Sequence, residues 1–137
     1  MTTRIFLRIA ALAMVTIAMA ACQSGGGSTP AHSGKSASLT AMEHMAIAAH
    51  KCWFASKDPA FRTYAMANEL NSFSGKPRFL LVPAKNFGGR PLLVVQAEGS
   101  SSRVDAYGPL LAEPLGHRIG ADLARWKSGN TSCSATA

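Results

Sequence analysis

The sequence predicts a small two-layer α+β domain, with an N-terminal helix, an antiparallel sheet of three or four strands and a C-terminal helix. Two observations favour this fold class. Apolar residues recur at helical spacing at both ends of the segment after residue 38. Between them lie short apolar runs bounded by Gly and Pro, which are typical of strands. Such a sheet buries one face under its helices.

The first helix is predicted from Leu39 to about Ala55. Thr40 and Glu43 form a T-x-x-E pattern, typical of a capping box at a helix N-terminus. One apolar face follows at three- and four-residue spacing, made of Leu39, Met42, Met45, Ala46, Ala49, Cys52 and Trp53.

The segment that follows the turn signal Asp58–Pro59 is open to two interpretations. Residues 59–73 fit either a helix or a strand. We favour a strand over residues 63–71, because residues 72–77 (SFSGKP) have the composition of a hairpin turn.

Three further strands are predicted, over residues 78–82 (RFLLV), 91–97 (PLLVVQA) and 103–107 (RVDAY), as an antiparallel meander. A second helix is predicted from Leu115 to Lys127, since Leu115, Ile119, Leu123 and Trp126 recur at helical spacing. Gly116 and Gly120 weaken that helix by about 1 kcal/mol each relative to Ala. Gly129 is placed to end it.

The first 21 residues have the organisation of a signal peptide. Arg4 and Arg8 form a positive start, and the weakly polar to apolar run from Ile9 to Ala21 follows. The run is shorter than the roughly 20 apolar residues that a membrane span requires. We therefore predict a signal peptide over residues 1–21, a linker rich in Gly and Ser over 22–38, and a globular domain over 39–137.

Met19-Ala20-Ala21-Cys22 resembles the lipobox of bacterial lipoproteins, although that family prefers Leu where this chain has Met19. The resemblance implies that the thiol of Cys22 receives a diacylglyceryl group and that the leader is cut just before it. It also implies further acylation of the new amino group by a fatty acid such as palmitate. Gln23 follows Cys22 in place of Asp, which in this family implies sorting to the outer membrane, facing the periplasm.

Lipidation of Cys22 would leave Cys52 and Cys133 as an even pair in an oxidising compartment, and we predict that they form a disulfide. The alternative is a reactive or metal-binding thiol. No second Cys lies two or three residues from either one, which the common redox and zinc motifs require.

The formal charge of the chain is +7, and removal of Arg4 and Arg8 with the leader leaves +5. The basic residues are scattered rather than clustered with aromatic ones, so we expect no nucleic-acid binding. The acidic neighbours expected outside the cytoplasm are anionic lipid headgroups and envelope polymers.

Catalytic motifs are not evident in the sequence. His44 and His50 are six residues apart and do not share a helix face as i, i+4 ligands would, and His117 is isolated. No serine lies in a G-x-S-x-G pattern, and no close pair of carboxylates suggests a glycosidase. We therefore expect no enzymatic activity, no cofactor and no metal ion.

The leading functional hypothesis is an envelope lipoprotein whose domain binds a protein or an anionic polymer in the periplasm. A variant is a hydrolase inhibitor that presents one loop to an active site. The loop predicted for partner binding contains Lys85, Asn86, Phe87 and Arg90. The competing class is an enzyme acting on cell-wall or lipid substrates, which would need a histidine beside a carboxylate in a cleft.

Overall fold

The computed structural model describes residues 35–134 and confirms the predicted fold class. Its two helices are α1 (Ala37–Ala49), which continues as a π-helical turn over His50–Ala55, and α2 (Pro114–Lys127). Its strands are β1 (Tyr64–Glu69), β2 (Arg78–Pro83), β3 (Leu93–Ala97) and β4 (Val104–Tyr107). Within residues 35–134 no helix has the length and apolar character needed to cross a membrane.

The four strands form one antiparallel sheet in the order β1-β2-β3-β4, which confirms the predicted meander. The structure also decides between the two interpretations of residues 59–73. A short 3-10 turn over Pro59–Phe61 precedes β1, and a hairpin turn follows β1. Asp58 begins the 3-10 turn by accepting a 2.9 Å hydrogen bond from the backbone N–H of Ala60.

Both helices contribute to one core on a single face of the sheet. From β2 and β3 that face carries Phe79, Leu81, Leu93 and Val95, all fully buried. The largest buried side chains of the helical layer are Met42, Trp53, Ile119 and Trp126. Trp53 lies at the centre, with ring centroids 4.7 Å from Phe61, 5.0 Å from Trp126 and 6.3 Å from Phe79.

The start of α1 differs from the prediction. The N-cap is Ser36, whose hydroxyl accepts a hydrogen bond from the backbone N–H of Leu39, so the capping box at Thr40 is wrong. Ala37 and Ser38, which the sequence assigned to the linker, belong to the helix, and Ser38 is buried. Ser36 and Thr40 both suit an N-cap, and the helix begins after the earlier one, which places Ser38 in its first turn as a buried residue.

The end of the first helix also differs, because residues 50–55 form a π-helical turn rather than a continuing α-helix. Within this turn Cys52 and Trp53 are buried, whereas Lys51 and Ala55 are exposed. Lys57, in the left-handed conformation, ends the turn, and its N–H donates to Phe54 O.

The two ends of the sheet are built from different segments. The hairpin end consists of the turns after β1 and β3, residues 70–77 and 98–103. The loop end consists of the β2–β3 loop (residues 84–92) and the 3-10 turns Pro59–Phe61 and Pro109–Ala112. α2 begins directly after the second of these turns, so its first residues also lie at the loop end.

Candidate functional site

The four residues predicted for partner binding lie on the β2–β3 loop, and all four are exposed. Asn86 N–H donates to Pro83 O and Gly89 N–H donates to Asn86 O, both at 2.9 Å. These two bonds form successive tight turns, so the backbone of the loop is held by its own hydrogen bonds. Phe87 lies within the second turn with 60% of its surface exposed, a high value for a phenylalanine.

A third basic residue of the loop end lies close to Lys85. The backbone N–H of Ala84 donates to Thr63 O at 2.9 Å, which extends the pairing of β1 with β2 by one residue. Arg62 and Lys85 are the next residues on each side of that bond, and both are exposed. The loop end therefore carries three exposed cationic side chains together with the exposed Phe87.

An apolar cleft of about 420 Å³ opens at the same end of the sheet. Glu113, the residue immediately before α2, is its charged member. The other lining residues, drawn from the two 3-10 turns, β1, the β2–β3 loop and α2, are Ala60, Tyr64, Leu92, Pro109, Leu110, Pro114 and Leu115. This is the composition expected of a surface that accepts an apolar group.

Two glycines bring the segments around this cleft close together. Gly108 adopts a φ of 138°, and a side-chain carbon there would collide with the backbone of Leu92 and lie 2.9 Å from Leu93 Cα. Gly116, inside α2, packs directly on the backbone of Leu111, where a side-chain carbon would also collide. The sequence assigned Gly116 only a cost in helix stability; the structure shows that it permits a close approach.

A buried charge network lies beneath the loop end. Asp122 on α2 is fully buried, and its carboxylate accepts hydrogen bonds from Trp53 Nε1 at 2.8 Å and from the Arg125 guanidinium. Arg118 Nε lies 3.9 Å from the same carboxylate, and its guanidinium also pairs with Asp58. The network joins the π-helical turn, the 3-10 turn that contains Ala60 and helix α2.

Arg118 occupies the centre of this network. Its guanidinium carbon lies 5.4 Å from the centroid of the Phe61 ring, within the range of a cation–π contact. The hydrogen bond from Arg118 holds the pKa of Asp58 below its ordinary value of 3.8, against the opposing effect of burial, and the Ala60 N–H acts in the same direction as Arg118. Asp58 is therefore an ionised, fully engaged carboxylate rather than a proton donor or acceptor.

Sequence reasoning missed this network, although one signal indicates it. Leu115, Ile119, Asp122 and Trp126 follow one another at spacings of four, three and four residues, so they share one face of α2. A carboxylate within an otherwise apolar stripe indicates a buried charge, which requires cationic or N–H partners. Arg118 and Arg125 lie one turn away on either side of it.

The predicted disulfide between Cys52 and Cys133 is confirmed, with the two Cα atoms 5.1 Å apart. Side chains of α2 hold the tail on both sides of Cys133. Ser132 O accepts hydrogen bonds from Arg125 Nε at 2.9 Å and from Trp126 Nε1 at 3.1 Å. Arg118 Nε donates to Ser134 Oγ at 3.2 Å. The bridge therefore closes the domain over the buried network.

The three described histidines, His44, His50 and His117, are all exposed. His50 stacks on Phe54 with ring centroids 6.5 Å apart. Among residues 35–134, no three His, Cys, Asp or Glu side chains are grouped so that they could hold a metal ion. The structure therefore does not bring these histidines together into one site.

Comparisons with protein-family models, with curated proteins and with solved structures give no match for this chain. The lipobox at Cys22 lies outside the residues that the structure describes, so lipidation stays a prediction.

Proposed function

We propose that this chain is a lipid-anchored lipoprotein of the bacterial cell envelope and that its folded domain is a binding module. The binding surface is the loop end of the sheet, and its partner is a protein or polymer with both apolar and acidic groups. The observation that carries the binding role is the position of the apolar cleft, the exposed Phe87 and three cationic side chains at one end of the sheet.

The disulfide supports the proposed location outside the cytoplasm. Structural disulfides persist in oxidising compartments and are rare in the cytoplasm. Pairing of Cys52 with Cys133 leaves Cys22 as the cysteine outside the bridge, and Cys22 is also the residue that the lipobox resemblance assigns to acylation. Two independent features, the leader and the bridge, thus agree on export.

Metabolic labelling with an alkyne fatty acid tests the anchor. Expressed with its own leader in a Gram-negative bacterium, the wild-type chain is expected to carry label and to begin at Cys22. The Cys22→Ser variant is expected to be unlabelled, and Cys52→Ser serves as the matched control, because it removes a cysteine without touching the lipobox. An unlabelled wild-type chain that retains residues 1–21 would contradict the proposal.

Photo-crosslinking in living cells tests the binding surface. A photoreactive amino acid replaces Phe87 in one strain and Phe73, a more exposed phenylalanine at the hairpin end, in the other. We expect a reproducible adduct with an envelope component at position 87 and none at position 73. Adducts at both positions, or at position 73 alone, would count against a binding surface at the loop end.

Inhibition of a hydrolase is the second candidate function, and the backbone of the loop favours it. Inhibitors present a preformed loop, and the hydrogen bonds of Asn86 and Gly89 hold this one in place. Arg90→Ala is then expected to weaken inhibition of the target hydrolase at least tenfold, as loss of an interface arginine commonly does. Inhibition that is insensitive to this change and to Phe87→Ala would remove the loop from consideration.

A further inference from the structure

The ion pairs of the domain divide its basic residues into two groups. All seven carboxylate side chains of the chain lie within residues 35–134, and six of them form ion pairs there. Glu113, at the cleft, is the seventh. Among the twelve cationic side chains in the same range, half take part in these pairs. Arg62, Lys85 and Arg90 at the loop end belong to the other half.

The hairpin end has the opposite character. Lys76 pairs with Glu98, Arg78 with Glu69 and Arg103 with Asp105, so three of its cations are balanced by three carboxylates. A fourth cation, Lys127, reaches this end from α2 and donates to Val104 O at 2.9 Å. Its exposed phenylalanine, Phe73, lies between two serines at the tip of a turn. An exposed phenylalanine is thus found at each end of the sheet, but three of the cations at the hairpin end have an acidic partner, whereas Arg62, Lys85 and Arg90 form no ion pair within residues 35–134.

A protein surface that carries an exposed aromatic ring and several cations is complementary to an anionic bilayer. The ring enters the boundary between headgroups and acyl chains, while Lys and Arg lie at the level of the phosphates. Each Lys or Arg near an anionic surface strengthens binding about fivefold. The apolar cleft at the same end of the sheet adds to the apolar surface that leaves water when the domain docks.

The length of chain between Cys22 and α1 makes this contact accessible. Residues 23–36 separate Cys22 from the start of the helix, and even fully extended they span at most about 50 Å. A domain held at that distance meets the bilayer at a high effective concentration, so a contact of modest strength is populated.

We infer that the loop end docks on the anionic lipid surface of the membrane that holds the chain, with Phe87 inserted and Arg62, Lys85 and Arg90 on the phosphates. The inference rests on the proposed lipid anchor and goes beyond the proposed binding function, since it adds the bilayer itself to the proteins and polymers proposed as partners of this surface. It orients the domain with its loop end towards the bilayer and its hairpin end away from it.

Fluorescence quenching of the full acylated chain in vesicles tests the orientation. The Phe87→Trp variant and the control Phe73→Trp are reconstituted in phosphatidylcholine vesicles with brominated acyl chains, with or without about 30 mol% phosphatidylglycerol as the anionic lipid. Trp53 and Trp126 are buried, and the wild-type chain measures their background. We expect Phe87→Trp to be quenched in the anionic vesicles, with quenching reduced by about 0.5 M salt through screening. Phe73→Trp is expected to stay unquenched.

A charge variant with a matched control sharpens the test. Lys85→Gln with Arg90→Gln is expected to lower the docking equilibrium constant of Phe87→Trp about 25-fold, at about fivefold for each charge. Lys76→Gln with Arg103→Gln removes the same charge at the hairpin end and is expected to leave it unchanged.

Equal quenching at positions 87 and 73, or quenching that ignores anionic lipid, would overturn the inference. So would an acylated chain that is unquenched in both vesicles. If that chain still gave a discrete protein adduct at position 87 in cells, a protein would be the partner and the proposed binding function would stand. A failure of the acyl-labelling experiment is a separate outcome, and it would overturn the proposed lipid anchor itself.

Discussion

The hairpin end and the loop end of this sheet contain charges that are held in different ways. At the hairpin end the ion pairs lie on the surface: in the Arg103–Asp105 pair the side chains are 78% and 53% exposed. Beneath the loop end, Asp58 and Asp122 are 2% and 0% exposed and share Arg118. Surface pairs contribute little to stability, whereas breaking a buried pair leaves an uncompensated charge. The comparison teaches that the end with the candidate binding surface is joined to the core by buried ion pairs, whereas the ion pairs of the hairpin end face water.

Loss of the disulfide is expected to have the largest effect, because it closes a long loop over the buried network. Cys52 and Cys133 are 81 residues apart, and the chain-entropy model assigns such a bridge up to about 4.5 kcal/mol. In urea denaturation, the free energy of unfolding of the double variant Cys52→Ala with Cys133→Ala should lie below that of the wild type by much of this amount. Reductant should shift the wild type equally and leave the double variant unchanged; a wild type indifferent to reductant would contradict the bridge.

The buried carboxylate should distinguish the two ends most directly. Asp122→Ala removes the acceptor of the buried Trp53 Nε1–H and the partner of Arg125, and we expect a loss of about 3 kcal/mol. Asp105→Ala, the matched control at the hairpin end, should cost less than about 1 kcal/mol. Thermal unfolding of both variants measures the difference in stability. Similar losses of stability in the two variants would show that the buried Asp122 network stabilises the domain no more than a surface ion pair does.

Two glycines, one at each end of the sheet, allow the loop end and the hairpin end to be compared at the level of the backbone. Gly108→Ala at the loop end forces the chain away from Leu92 and should cost about 2–3 kcal/mol. Gly99→Ala at the hairpin end has a φ of 67° but meets no atom within 4 Å, so only the left-handed backbone, about 1 kcal/mol, opposes it. The two midpoints of chemical denaturation check this, and a reversed order would mean that the loop end relaxes around the added methyl group.

The smallest expected effect is a pH dependence that arises from Asp58. Its pKa in the folded domain lies below the ordinary value of 3.8, so the Asp58–Arg118 pair contributes stability above that pH. The contribution is lost as the pH falls through the lowered folded pKa. Denaturation of wild type and Asp58→Asn should therefore differ most near neutral pH and converge in acid. A difference that stays constant down to the most acid condition would contradict this.

The strands could be predicted because Gly and Pro mark their boundaries and the apolar runs between them are short. The start of α1 could not be fixed, since Ser36 and Thr40 both suit an N-cap and only the burial of Ser38 distinguishes them. The π-helical turn was also beyond sequence reasoning, because the apolar spacing up to Trp53 fits an ordinary α-helix equally well, and Trp53 packs against side chains from distant segments.

The candidate site was predictable only in part. The β2–β3 loop is continuous in sequence, so Lys85, Phe87 and Arg90 could be singled out together. The cleft is lined from five separate segments, and its shape depends on close approaches at Gly108 and Gly116. Arg62 joins the basic surface only because β1 pairs with β2 in one particular register.

The sequence by itself determined the α+β class, the order of helices and strands, and the pairing of two cysteines, because each follows from local periodicity or from a count. The tertiary structure decided which charges are paired and which are free. That distinction depends on distances between residues far apart in the chain, such as Asp58 with Arg118, which no local pattern specifies. For the same reason, only the folded domain shows that three cations at the hairpin end are paired with carboxylates, while Arg62, Lys85 and Arg90 at the loop end form no ion pair within residues 35–134.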